Sequence, residues 1–194
     1  MPADEVQICN IALIKVGEKT ITALTDDNKA GRLCNAYYSF ARDDTLRAHP
    51  WNFAVRRQEL ALSATIPPYE FSNQFALPDE CLRVIYADLP RGSEWKVEGK
   101  FILCDSATLI IKFIKRITDT AQFDTLFAEA LAARLAYEFA IALSDSRTLQ
   151  EQLFKIYMGK IANARTVDAQ EGTPENIEAS TWLDSRHRYT GSLA

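Results

Sequence analysis

The sequence predicts an α+β protein, mainly α: a four-helix bundle with a small antiparallel β-sheet inserted between helices 2 and 3, and an extended C-terminal tail. Three observations lead there. Apolar residues recur at helical spacing before residue 50 and again after residue 122. The middle third is made of short β-branched and aromatic runs broken by proline and glycine. Periodicity is lost after residue 168. The expected organisation is one domain over 1–168, with helices in 3–49 and 123–168 and the β insertion at about 66–118. An arm follows over 169–194.

The first helix is expected from Asp4 to Val16. Val6, Cys9, Leu13 and Val16 form its apolar stripe, and Gly17 is a fitting residue just past a helix end. The second helix starts at Asp27 or Asn28, both good N-caps, and runs to Ala48. Its inward positions are Ala30, Leu33, Cys34, Tyr37 and Ala41, and Asp43 and Arg47 are spaced to pair on its outer side. Pro50 then stops it, because proline has no N–H and its ring clashes with the preceding turn. Trp51 and Phe53, directly after, are expected to anchor that exit in the core, so Pro50, Trp51 and Phe53 are the structural anchors of this reading.

Ile66-Pro67-Pro68-Tyr69 opens the β region. Phe75–Pro78 reads as a short extended piece and Leu82–Leu89 as a strand. Trp95–Val97 and Phe101–Cys104 flank a Glu98-Gly99-Lys100 turn, and Leu109–Ile117 is the clearest strand. Phe123–Leu143 is apolar nearly all round and rich in alanine, which suits a helix in the middle of a bundle. The fourth helix covers Ser146 to Val167, with Leu149, Leu153, Ile156, Tyr157, Ile161 and Ala164 inward and a Thr148/Glu151 capping box. Beyond it the chain is polar except for a few apolar residues. Trp182, Arg186, Arg188 and Tyr189 are of the types that dominate interface energy, so they are the candidate partner-binding residues of an arm that orders on a partner.

Composition narrows the function. Twenty-six acidic against 22 basic residues give a net charge of −4, which argues against a dedicated DNA clamp. No apolar run approaches the roughly 20 residues of a membrane span, and the acidic N-terminus has no signal-peptide pattern, so no membrane association is expected. Cys9, Cys34, Cys81 and Cys104 lack metal-ligand spacing and read as reduced, mostly buried thiols. Phosphate-binding, zinc-protease and nucleophile-elbow motifs are missing. His49 reads as a cap of the second helix and His187 lies in the tail. The pairs Asp26-Asp27, Asp43-Asp44 and Asp79-Glu80 read as caps, solvated faces or turns. Arg56-Arg57, Lys112 and Lys115-Arg116 read as solvated faces or subunit contacts. No catalytic, metal-ligating or cofactor-binding residues are assigned, and no enzyme activity or cofactor is expected.

Several segments in order resemble the tail tubular protein A family, the head-to-tail adaptors of short-tailed bacteriophages. Asn10-Ile11-Ala12-Leu13-Ile14-Lys15-Val16-Gly17-Glu18 is similar to that family's first helix and its stop. Cys34 to Trp51 is similar to its second helix, ending in the His49-Pro50-Trp51-Asn52-Phe53-Ala54 element. Phe75 to Val84 resembles its approach to the sheet. Trp95–Leu103 with Leu109–Thr118 resembles its hairpin and last strand, and Phe127–Leu143 its third helix. The resemblance spans residues 6–168.

The resemblance implies a structural virion protein at the head-to-tail junction, assembled in the bacterial host cytoplasm. It implies a ring of twelve copies between portal protein and tail nozzle protein, continuing a channel through which DNA passes only as cargo. The alternative is a cellular protein–protein interaction module with a helical bundle and a binding arm. A third reading is an enzyme built from scattered carboxylates.

Overall fold

The computed structural model describes residues 4–171. In chain order the elements are α1 (Glu5–Val16), α2 (Lys29–Arg47), β1 (Val55–Leu60), β2 (Asn73–Ala76), β3 (Cys81–Asp88), β4 (Trp95–Glu98), β5 (Phe101–Cys104), β6 (Leu109–Lys115), a 3-10 turn (Thr120–Gln122), α3 (Thr125–Ser144) and α4 (Arg147–Gln170).

The helix ends are built from local chemistry. Asp4 Oδ1 accepts from the Gln7 N–H at 2.7 Å while Gln7 Oε1 accepts from the Asp4 N–H at 3.1 Å, a reciprocal capping box. Gly17 ends α1 at φ 80°, a left-handed backbone that glycine adopts without strain. Asn28 caps α2 through the Gly31 N–H at 2.7 Å. A Cβ at position 31 would lie 2.4 Å from the Asp26 carbonyl oxygen, so the α1–α2 connector closes over α2 only because residue 31 has no side chain. Asp124 caps α3. Ser146 caps α4 through the Leu149 N–H at 3.2 Å, in place of the expected Thr148/Glu151 box.

The expected bundle with one inserted sheet is corrected on two counts. Among the described residues there are two three-stranded antiparallel sheets, ordered β1-β6-β3 and β2-β5-β4. The helices also do not pack as a simple four-helix bundle. α3 is the common partner of α1, α2 and α4, whereas α1 and α2 barely meet. The cause is composition: Ala130, Ala132, Ala133, Ala136 and Ala140 are all fully buried on α3, and small side chains let three helices approach one axis closely.

The β region begins earlier than expected, at Val55 rather than about 66. β1 reads Val-Arg-Arg-Gln-Glu-Leu, and as an edge strand it pairs only with β6, from Val55↔Ile114 to Leu60↔Leu109. Its exposed edge carries charge where a central strand would carry apolar residues. α4 runs to Gln170, so residues 169 and 170 belong to the helix and not to the arm. Tyr38, not Tyr37, is the tyrosine buried from α2.

Two apolar clusters result. The larger holds the helices with Trp51, Ala54, Ile114 and Ile117. The smaller lies between the two sheets and holds Leu60, Phe75, Ile102, Leu109, Ile111 and Phe113. β6 serves both, because Leu109, Ile111 and Phe113 face the sheet cluster while Ile114 faces the helices.

Trp51 is 1% exposed. Its indole N–H donates to the Thr45 carbonyl at 2.9 Å, and its ring meets Phe127 edge-on at 5.2 Å. Trp51→Ala is therefore expected to destabilise the fold by about 3–5 kcal/mol, measured by urea unfolding. A loss below about 1 kcal/mol would show that the ring anchors nothing.

Candidate functional site

The His49–Ala54 element that stood out in the sequence folds into a clasp on the end of α4. α2 stops at Arg47, with the Ala48 N–H closing its last turn onto Asp44. Pro50 then turns the chain, and the Ala54 and Val55 N–H groups fold back onto the Trp51 carbonyl at 2.9 and 3.0 Å. This turn presents three groups to Asp168. His49 Nε2 lies 2.9 Å from Asp168 Oδ2, the Asn52 N–H donates to Asp168 Oδ1 at 2.9 Å, and Asn52 Nδ2 donates to the Asp168 carbonyl at 2.7 Å. Arg165 adds a contact to the Ala48 carbonyl at 3.3 Å. His49 therefore does not cap α2 as expected; it packs on Trp51 at 4.8 Å and holds α4.

Asp168 was not legible as a partner of this element. It lies 119 residues from His49. One signal was present: a carboxylate in the last turn of a helix opposes the helix dipole unless something nearby offsets it. The clasp fixes the last turn of α4 against the loop between α2 and β1.

Of the expected structural anchors, Trp51 is fully buried, Phe53 packs against the helical core through Phe127 at 5.1 Å, and Pro50 is half-buried at the turn. Trp182, Arg186, Arg188 and Tyr189 lie outside the described residues.

The carboxylate pairs fall into separate small roles. Asp26 accepts from the Thr22 N–H at 2.8 Å, which holds its carboxyl below the usual range. Asp27 pairs with Arg32. Asp43 joins Arg42 and Arg116 at 2.9 and 2.7 Å, not Arg47 as expected, and Arg47 instead reaches the Leu82 carbonyl. Asp79 pairs with Lys100 and Glu80 with Lys115. Among the described residues no group of three histidines, cysteines or carboxylates is arranged to hold a metal ion.

Cys9 and Cys34 face each other across α1 and α2. Their hydrogen bond raises the Cys9 thiol, with burial adding to it, and lowers that of Cys34. Burial pushes the Cys81 and Cys104 thiols up. All four are free.

Two kinds of surface remain. Each of the four helices exposes large apolar side chains: Ile14 (64% exposed) on α1, Phe40 (76% exposed) on α2, Ile141 on α3, and Phe154 and Met158 on α4. The β1-β6-β3 sheet carries a groove of about 520 Å³ lined by Arg57, Ile85, Tyr86, Asp88, Ile110 and Lys112. No helix among the described residues is long and apolar enough to cross a membrane. No protein-family model matches the chain, and no curated protein matches it either.

Removing the Asp168 side chain would leave the Asn52 N–H and His49 without their acceptor in a half-buried site. Asp168→Ala is expected to cost about 1.5–3 kcal/mol in urea unfolding, the range for hydrogen bonds to a charged group. A cost under about 0.5 kcal/mol would mean that α4 ends without the clasp.

Proposed function

We propose that this protein is a head-to-tail connector of the tail tubular protein A kind, a structural component of a short-tailed phage virion. Copies stand side by side in a ring of twelve docked on the portal protein, with the tail nozzle protein below and DNA passing through the channel as cargo. Assembly takes place in the host cytoplasm.

One observation supports this reading most. Large apolar side chains stand exposed on all four helices, and they do not form one single patch. α1 and α4 both pack on α3 without comparable contact to each other, so Ile14 and Met158 project from helices that do not share a contact face. A two-fold dimer uses one patch twice; a ring needs two unlike patches that meet head to tail. On the α3–α4 side Phe154 stacks on Tyr137 at 5.3 Å beside exposed Ile141 and Met158, a grouped apolar surface of the kind that marks an interaction face. The clasp adds a second element. It fixes the end of α4, and Trp182, Arg186, Arg188 and Tyr189, beyond it in the sequence, are the proposed portal contact. The net charge of −4 suits a channel wall that does not grip DNA.

The isolated protein is expected to be monomeric or weakly associated and to assemble when portal protein is added, as read by native mass spectrometry. Phe40→Glu should abolish the ring on the portal with little effect on the thermal midpoint. A variant ending at Glu171 should keep its fold and lose stable portal attachment in pull-down. Failure of the full chain to attach to portal protein would sink the connector reading. Full attachment of the shortened variant would move the portal contact from the arm to the domain.

A further inference from the structure

We propose that the groove on the β1-β6-β3 sheet binds a nucleoside monophosphate, with the phosphate on Arg57 and Lys112, the base on the ring of Tyr86 and the ribose hydroxyls toward Asp88. This does not depend on the connector reading.

The pairing register brings these residues together from three strands. Arg57 on β1 is the cross-strand partner of Lys112 on β6, and Lys112 is the partner of Tyr86 on β3. Cross-strand partners share a face, so the three stand in one row. Two residues away along β6, Ile110 forms the next row with Glu59 and Asp88. On the other side Ile114 is fully buried in the helical core, so the helices cover the face from that row on. The groove between has a volume of about 520 Å³, and its lining includes Arg57, Lys112, Tyr86, Asp88, Ile110 and Ile85. That volume lies within the roughly 300–1,000 Å³ of small-molecule sites.

The two cations are the unusual part. Like charges directly opposite each other on neighbouring strands are destabilising. Arg57 and Lys112 are placed in this way, and neither takes part in an ion pair among the described residues. By contrast, Lys96, Lys100, Lys115 and Arg116 each lie against a carboxylate. An anion held between Arg57 and Lys112 offsets their repulsion. A phosphate suits both, because its several oxygens accept from a guanidinium and an ammonium at once.

What stands beside the cations narrows the anion. Tyr86 is 54% exposed and Ile110 44% exposed, so an open aromatic ring and an apolar floor adjoin the phosphate position. Nucleobases stack on such rings, since every base has a π-face. Asp88 lies two residues beyond Tyr86 on β3 and shares its face. A carboxylate there accepts from ribose hydroxyls, as acidic residues do in dinucleotide sites. Asp88 and Glu59 together also repel a second phosphate. A free monophosphate therefore fits this order of charges better than a nucleic-acid strand, whose next phosphate would meet either the acidic row or the helices. No single run of the sequence displays the arrangement, because Arg57, Tyr86, Asp88 and Lys112 come from three separate strands.

The test uses the free full-length chain at low salt. Adenosine 5′-monophosphate is titrated into ¹⁵N-labelled protein, and adenosine, inorganic phosphate and a single-stranded oligonucleotide are titrated separately. The monophosphate should shift the amides of β1, β3 and β6 saturably, with a Kd below about 1 mM. Adenosine and inorganic phosphate should each bind about tenfold or more weakly, since each keeps only one of the two main contacts. Tyr86→Ala should weaken the monophosphate by about tenfold and leave inorganic phosphate unchanged, while Tyr86→Phe keeps the original affinity. Lys112→Gln should weaken phosphate and monophosphate together, with an unchanged or raised thermal midpoint because the cross-strand repulsion is gone. Absence of a saturable shift would overturn the proposal. Equal affinity for inorganic phosphate and the monophosphate would overturn it as well, leaving an anion site without base recognition. Tighter binding of the oligonucleotide would do the same, by assigning the groove to single-stranded nucleic acid.

Discussion

The packing of Trp51 against Phe127 is the contact on which the rest of the arrangement depends. Phe127 lies on α3, the helix that α1, α2 and α4 share. Trp51 lies between the end of α2 and the start of β1. Phe53 and Phe123 extend the contact into a group of four rings, with centroids 4.9 to 6.3 Å apart and mostly edge-on or tilted. Such pairs add about 0.5–1.5 kcal/mol each beyond the area they bury. The same short stretch that inserts Trp51 also turns outward through His49 and Asn52 to hold α4. A single loop thus sets the position of two helices, one strand and the last turn of α4.

Charged groups follow the same division of labour. Asp43 on α2 is shared by Arg42, which is nearly buried, and by Arg116, just past β6. Arg134 on α3 lies between Glu138 and Asp44, with its guanidinium 5.6 Å from the rings of both Tyr137 and Tyr157. These pairs sit at the rims of the helical core, where partial burial makes geometry matter more than at a fully wet surface. They fix which helix face meets which neighbour, while the apolar core supplies most of the stability.

What could be read from the sequence divides along the range of the interactions involved. Helix ends were largely legible because their signals are local: Gly17 and Asn28 act on backbone within four residues, although the cap of α4 is Ser146 and not the expected Thr148/Glu151 box. β3 to β6 were legible because each is rich in β-branched or aromatic residues. β1 was not, because an edge strand with Arg56, Arg57, Gln58 and Glu59 carries no alternation to read. The division into two sheets was also hidden. It depends on β6 choosing β1 and β3 while β5 chooses β2 and β4, and nothing within one strand encodes its partners. The burial of Trp51 followed from its position after a helix stop. The clasp on Asp168 did not, since its halves lie more than 100 residues apart.

The four free cysteines turn the two-cluster interior into a reporter of its own opening. Cys9 and Cys34 are sealed in the helical core, and Cys104 is sealed between the sheets. A thiol reagent meets them only when the surrounding layer parts, so alkylation rates at Cys9 and Cys104 time the opening of the two layers separately. Since β6 contributes to both clusters, equal rates would describe a molecule that opens as one unit. Unequal rates would rank the layers by local stability without a single substitution.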